Sequence, residues 1–558
     1  MKRNIAAIVF LAVALAASSV EAQEPADLVV HNAKIFTADD VMSIKHAMAI
    51  RDGRIVAIGG EELVSRYKAK RTLDLGGRLV VPGFDDTHIH VRGYPRSYVD
   101  MQGVASIGEF QEKLRRKAKE LGPGQWITGW GWSEDEFAEK RKPTRADLDA
   151  AIPENPAIIA RAGGHSAVAS SLALKLGGVT RNTPDPASGA IEKDAAGEPT
   201  GIFRESWGMF GPLIPRGSEE ELRASLFENL RGLLAHGITS ITEAMTGAPE
   251  YPRWQQVYAR DSARLPRASV QLHVPVGFGD GEKVSDAIRK LALRPRDGDS
   301  RLRLGPLKIF VDGGYTGPAA WTLVPYRDQP KYFGQARLGE KDLYAVLKAA
   351  NEKGWQVAMH TIGDAAIKMG VEQLAKVLDE NPRSDHRNFL THFTVMPPEA
   401  TMRTMADHNI WIAQQPNFTY TIEGRYVAYL TPERAATNNP LRTPMKHGIF
   451  MAYGADIMPT GPLLGIYSAV TRKGMSGAVY GPGERVTVPE AIIAYTRNGA
   501  YFTFEEKDKG TLEPGKFGDF VVLSHDILEI EPDRILKDVK VDLTVVGGVV
   551  LYDRKEAR

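Results

Sequence analysis

The feature that most constrains this chain is a change of texture along its length. Through the middle, apolar runs of four to seven residues alternate with amphipathic helical stretches, the pattern of parallel βα units. Strand candidates are residues 83–90, 158–161, 239–243, 304–311, 356–360, 388–392, 410–413 and 449–453, with helices predicted at 218–236, 341–353 and 365–380. Eight strands over roughly 400 residues predict a TIM-like (β/α)8 barrel with insertions. The excess length falls early, at about 95–215, where Gly-Trp-Gly-Trp (129–132) and the turn Asn182-Thr-Pro-Asp-Pro suggest extended loops or an insertion over one face. Both ends read differently, as short β-like runs broken by turns: 28–30, 34–37, 47–50, 54–58 and 79–81 at one end, 518–523 and 543–552 at the other. Asp52-Gly53 and Gly547-Gly548 supply the tight turns.

Composition narrows the chemistry. Lys plus Arg is 70 and Asp plus Glu 69, a net charge of +1, so no net field draws the chain to nucleic acid or anionic lipid. There is no cysteine, which excludes disulfides, thiolate metal sites and Cys nucleophiles; a metal here is held by His, carboxylate or a modified Lys. At the N-terminus, Lys2 and Arg3 precede a 13-residue apolar stretch from Ile5 to Ala17, and Val20-Glu21-Ala22 offers small residues at minus three and minus one. This pattern predicts a secretory signal peptide over residues 1–22, with the mature chain starting near Gln23 in the periplasm or outside the cell. The stretch is short of the roughly 20 residues that span hydrocarbon, so no membrane association is expected after cleavage.

Several of the 13 histidines stand at or just beyond the ends of the apolar runs. In extended backbone His88 and His90 project from one face and can converge on one cation. His360 and His392 each close a strand candidate, and Asp456 follows another. Catalytic groups of a barrel gather at the C-terminal strand ends, so these five side chains can meet despite their separation in sequence. Each alone has a plainer account: His392 as a hydrogen-bonded histidine, and Gly363-Asp364 and Asp456 as helix caps.

Taken together, these motifs resemble the amidohydrolase superfamily, and within it the YtcJ-like branch related to N-substituted formamide deformylase. The resemblance runs from Val81-Pro-Gly-Phe-Asp-Asp-Thr-His-Ile-His through Gly164-His165-Ser, Leu307 to Gly313, His360-Thr-Ile-Gly-Asp364, Thr391-His392, Gln415-Pro416 and Gly454-Ala-Asp456 to the closing motif Gly510 to Asp519. Gly518 stands where the family has Ala, and Gly-Ala-Asp where it has Gly-Ser-Asp.

The resemblance implies a composite β-sandwich built from 23–84 and 503–558, enclosing a metal-dependent barrel over 85–502. It implies that His88 and His90 bind a buried metal with Asp456, that His360 and His392 bind a second, and that a group on the fourth strand bridges them. Lys308 matches that position. A cationic ammonium repels a divalent ion, so a ligating Lys308 is neutral or carboxylated by CO2 to an anionic carbamate. Alternatively Lys308 pairs with Asp312 or another carboxylate and one metal is held; Glu243 is the reserve bridging ligand.

Zinc is the default cation, one or two ions, with manganese, cobalt or iron as alternatives. Metal lowers the pKa of bound water to about 7, and the hydroxide attacks a carbonyl polarised by metal and by His165. Asp456 then takes the proton and delivers it to the leaving nitrogen. The expected partners are a small amide substrate of N-acyl or N-formyl type and further copies of the chain. A cyclic amide or ester hydrolase on the same metals, and a non-catalytic exported binding protein, are the competing readings. Trp130, Trp132, Tyr315, Trp321 and Phe393 are candidates for an aromatic substrate wall, and Arg204-Glu205 for substrate contact.

Overall fold

The computed structural model describes residues 23–556 apart from 165, 187–188, 205–206, 316–317 and 458–460. The signal-peptide segment and His165 therefore lie outside the described residues. An eight-stranded parallel sheet forms the centre: β1 (Phe84–Ile89), β2 (Ile238–Thr246), β3 (Arg267–His273), β4 (Leu302–Phe310), β5 (Val357–Thr361), β6 (Phe389–His392), β7 (Trp411–Gln414) and β8 (Met451–Tyr453). The sheet curls until its edges nearly close. Across the seam the Thr87 hydroxyl donates to the Tyr453 carbonyl at 2.9 Å, and Ile89 bridges Asp456.

Helices Tyr251–Asp261, Gly281–Lys290, Glu340–Glu352, Asp364–Glu380 and Glu399–Asp407 cross between successive strands. They bury Leu, Val and Ala faces against the outside of the barrel in one large core. The helix Glu219–Gly232 starts where the sequence predicts, because Ser218 and Glu221 form a capping box.

One strand assignment needs correction. Residues 158–161 belong to an inserted sheet and not to the barrel; the third barrel strand is Arg267–His273, which the apolar pattern passes over. The strand Ala157–Arg161 is apolar and fully buried, whereas RASVQLH carries polar groups at every second position. Of those polar groups Arg267 is satisfied by the tertiary fold, through a buried ion pair with both carboxylate oxygens of Asp519 at 2.7 and 3.2 Å.

That pair also explains the closing motif. Asp519 ties the barrel to the chain ends, and it accepts the Gly547 amide at 2.6 Å as well. The two ends share a six-stranded sheet in which strand Leu79–Pro82 pairs with Lys34–Phe36 on one side and Phe520–Leu523 on the other. A four-stranded sheet from residues 24–74 packs against it, with Leu28, Val30, Ile50, Val80, Phe520 and Val545 between them, giving a composite sandwich.

The inserted segment forms a third, mixed six-stranded sheet from Tyr98–Asp100 to Pro199–Arg204. It reaches the barrel through a buried network: Arg161 contacts Glu134 at 2.7 Å, and Arg425, from a helix beyond β7, contacts the same carboxylate at 2.8 Å. No helix among the described residues is long and apolar enough to cross a membrane.

Candidate metal centre

The C-terminal ends of the barrel strands carry the side chains picked out by sequence. His88 lies in β1 and His90 just beyond it, Lys308 in β4, His360 in β5, His392 at the end of β6, and Asp456 three residues past β8. Register sets them level: Phe310 pairs with His360, and His360 with Thr391. The seam completes the group, because the Asp456 amide donates to the His88 carbonyl at 2.6 Å.

Asp456 Oδ1 lies 3.1 Å from His90 Nε2 and 3.6 Å from His88 Nε2. Among the described His, Asp and Glu residues, these three form the one group whose ligand atoms lie mutually within 4.8 Å. His392 sits beside them, its ring centre 4.8 Å from that of His88 and 4.4 Å from that of His360. Glu243 is fully buried, 4.0 Å from His90 Nδ1, and is held by the Met245 amide and the Thr246 hydroxyl. All of the predicted ligands that are described thus stand at one rim.

The donor set fits a divalent cation. Both ring nitrogens of His88 and Nδ1 of His90 are buried with no hydrogen-bond partner, and leaving such groups unsatisfied costs about 1–3 kcal/mol each. A divalent cation would take one ring nitrogen from each histidine together with an Asp456 oxygen. Burial depresses the His88 imidazole well below its ordinary range and His392 to about 3, so both are neutral as a metal ligand requires. Burial alone would raise Asp456, but the His90 hydrogen bond and the surrounding cationic groups hold it below its usual value, as a carboxylate.

Lys308 is buried and pushed down to about 7, chiefly by desolvation. Its Nζ donates to Thr391 Oγ1 at 3.1 Å, and the expected alternative pairing with Asp312 is not formed. Asp312 instead accepts the amides of Trp321, Ile362 and Gly363 at 2.8–3.0 Å, fixing the turn after β5, and lies 3.8 Å from His360 Nε2. Gly363 is the N-cap of the following helix, and Asp364 is its first residue, bound to Leu323 N and Arg434.

Two of the predicted ligand positions bear backbone strain. His392 and Asp456 have φ of 76° and 61°, a left-handed conformation that costs a non-glycine residue on the order of 1 kcal/mol or more and collects at functional sites. Sequence reasoning assigned no role to Gln415, whose Oε1 lies 2.8 Å from His392 Nδ1 and so orients the opposite ring nitrogen toward the centre.

Above the rim opens a cavity of 490 Å³. Trp130 and Tyr315 line it as expected, joined by Trp207 and Phe418. Trp132 and Phe393 do not: Trp132 is buried in the inserted sheet, donating to the Ile159 carbonyl, and Phe393 in the barrel core. Trp321 packs on the outside of that core. Arg204 faces Glu192 at 3.7 Å, away from the cavity.

The amidohydrolase family profile matches residues 71–552. YtcJ of Bacillus subtilis (strain 168) is 30% identical over 539 residues, covering 94% of this chain and 99% of that protein. N-substituted formamide deformylase of Arthrobacter pascens is 28% identical, covering 95% and 98%. A solved metal-dependent hydrolase of Pyrococcus horikoshii OT3 superposes with a TM-score of 0.71 at 22% identity, covering 91% of this chain and 99% of that one. With a match that takes in part of the sandwich and the whole barrel, this chain belongs to the amidohydrolase family.

Proposed function

We propose that the protein hydrolyses a non-peptide amide C–N bond, of N-acyl or N-formyl type. The observation that carries this reading is the His88, His90 and Asp456 trio at the floor of an apolar cavity large enough for a small amide. The similarity to N-substituted formamide deformylase adds support for amide chemistry. His88, His90 and Asp456 would hold one cation, with His360, His392 and Lys308 around a second. The ligand chemistry favours zinc, and a carbamate on Lys308 would supply the bridging anion.

A divalent cation, when bound, lowers the pKa of its water to about 7 and polarises a carbonyl. The chain's own residues do the rest. Asp456, ionised and at the cavity floor, accepts a proton from the attacking water and returns it to the departing nitrogen, without which an amine leaves poorly. Gln415 holds the ring of His392, and Trp130, Tyr315 and Phe418 keep bulk water from the reacting bond. The reaction takes place in the periplasm or outside the cell, a reading supported by the basic and apolar pattern of residues 1–22.

The test is amine release from a panel of formamides, N-acyl amines and N-acyl amino acids by zinc-loaded protein, with metal content measured alongside. Metal bound at one equivalent or more with amine release supports the proposal. Turnover confined to lactones or cyclic amides, or protein that binds less than one equivalent, overturns it.

A further inference from the structure

The cavity wall is unequally charged. Among its described lining residues the one carboxylate is Asp456, whereas the exposed Arg92 and Arg337 also line it. Neither guanidinium forms an ion pair with a described residue. Arg337 is fixed through its backbone, its amide donating to the Val311 carbonyl at 2.8 Å and its neighbour Ala336 bridging Asp312. Its guanidinium carbon rests 5.3 Å from the centre of the Phe310 ring, and that ring lies 4.7 Å from His360, so the charge sits within about 10 Å of the His360 ring. Asp280 shares a smaller side cleft with Arg337 but does not line the main cavity.

A guanidinium matches a carboxylate in geometry and charge through two parallel hydrogen bonds. Beside Arg337 the Phe310 ring offers an apolar face, and Trp130, Trp207, Tyr315 and Phe418 line the same cavity. A cationic substrate would meet two unpaired arginines in the cavity wall, and a neutral one would leave them unused.

We propose that the substrate is an amide bearing a carboxylate on the arm away from the scissile bond, with an apolar or aromatic remainder, and that Arg337 selects it while Arg92 adds to the positive rim. This deepens the amidase reading and rests on it. Arg337 is a specificity residue: it grips the distal arm and touches no reacting atom.

The test uses two substrates that differ only in the carboxylate, N-formyl-phenylalanine and N-(2-phenylethyl)formamide, with the full-length zinc-loaded protein. The expected result is kcat/KM at least 10-fold higher for the carboxylate, carried mainly by KM. In Arg337→Gln that ratio falls below about 3, and in Arg337→Lys it is intermediate. A wild-type ratio of 1 or less, or a ratio that Arg337→Gln leaves intact, overturns the inference while the amidase reading stands on the neutral substrate. Should neither compound be hydrolysed, the amidase reading loses support, and calorimetric binding of the same two compounds decides the Arg337 inference. Preferential binding of the carboxylate that is lost in Arg337→Gln upholds it, and equal or absent binding overturns it.

Discussion

His90 Nε2 and Asp456 Oδ1 stand 3.1 Å apart, a contact that joins the first strand of the barrel to the end of the last. It holds the aspartate ionised at the cavity floor, where a proton acceptor is needed. Asn at position 456 keeps the shape and one coordinating oxygen but cannot carry a proton between water and nitrogen. Asp456→Asn is expected to retain its fold and most of its metal while kcat falls about 10²–10⁴-fold. Steady-state kinetics with metal analysis checks this, and an unchanged kcat removes Asp456 from proton transfer.

His88 offers two buried nitrogens with no hydrogen-bond partner among the described residues. His88→Ala should therefore cost little in the metal-free protein and much in the loaded one, because metal binding contributes to folding by linkage. Melting temperatures with and without zinc are the measurement. A drop of equal size in both states would mean that His88 is a packing residue.

Gly454 precedes the Gly-Ala-Asp aspartate at the seam, where an added Cβ would lie 2.5 Å from the His88 amide nitrogen. Gly454→Ala must spread β8 from β1 and with it Asp456 from His88. Metal affinity should fall at least about 10-fold although no ligand is altered, as for loss of a supporting group. Zinc titration of the variant tests this, and wild-type affinity would show that the seam yields without disturbing the trio.

Glu134 is the shared carboxylate between Arg161 and Arg425. Removing it leaves both guanidinium groups with Asp135 alone, at 3.0 and 3.4 Å, so the loss should fall below the about 3–5 kcal/mol of a fully orphaned buried charge. Since Trp130 and Ile158 of the inserted sheet line the cavity, Glu134→Ala should loosen the sheet and raise KM. Hydrogen exchange over Ile127–Trp132 and Ala157–Arg161 is expected to accelerate; unchanged protection would show that the sheet is held by its core alone.

Glu490 is lowered from 4.5 to about 2, first by its hydrogen bonds to Arg442 and then by the Thr487 cap. A carboxyl whose folded pKa is depressed contributes stability that is complete above about 4.5 and is lost as pH falls toward 2. Arg442→Ala should thus be destabilised by about 1–2 kcal/mol at neutral pH, allowing for partial exposure. The gap in melting temperature from wild type should narrow between pH 4.5 and 2. A gap independent of pH would assign the loss to packing.

The residues of the candidate metal centre stand out in the sequence because each follows a short apolar run, and a parallel barrel sends every such end to the same rim. The parity of His88 and His90 in extended backbone is a local property, and so is the capping box at Ser218. The identity of the third strand was not legible. Arg267, Ser269, Gln271 and His273 are polar, and only the distant Asp519 and the closed barrel make that pattern a buried strand. Local apolarity instead favoured 158–161, which the fold spends on the inserted sheet. The pairing of Lys308 with Thr391, the orientation of His392 by Gln415, the place of Asp312 under the β5 turn and the charge of the cavity wall all depend on contacts between distant segments. Sequence fixes which chemistry the chain carries, since residue type and strand parity are local. Which of those groups face one another is decided by the closure of the barrel, because distances across the seam are set by packing and not by spacing along the chain.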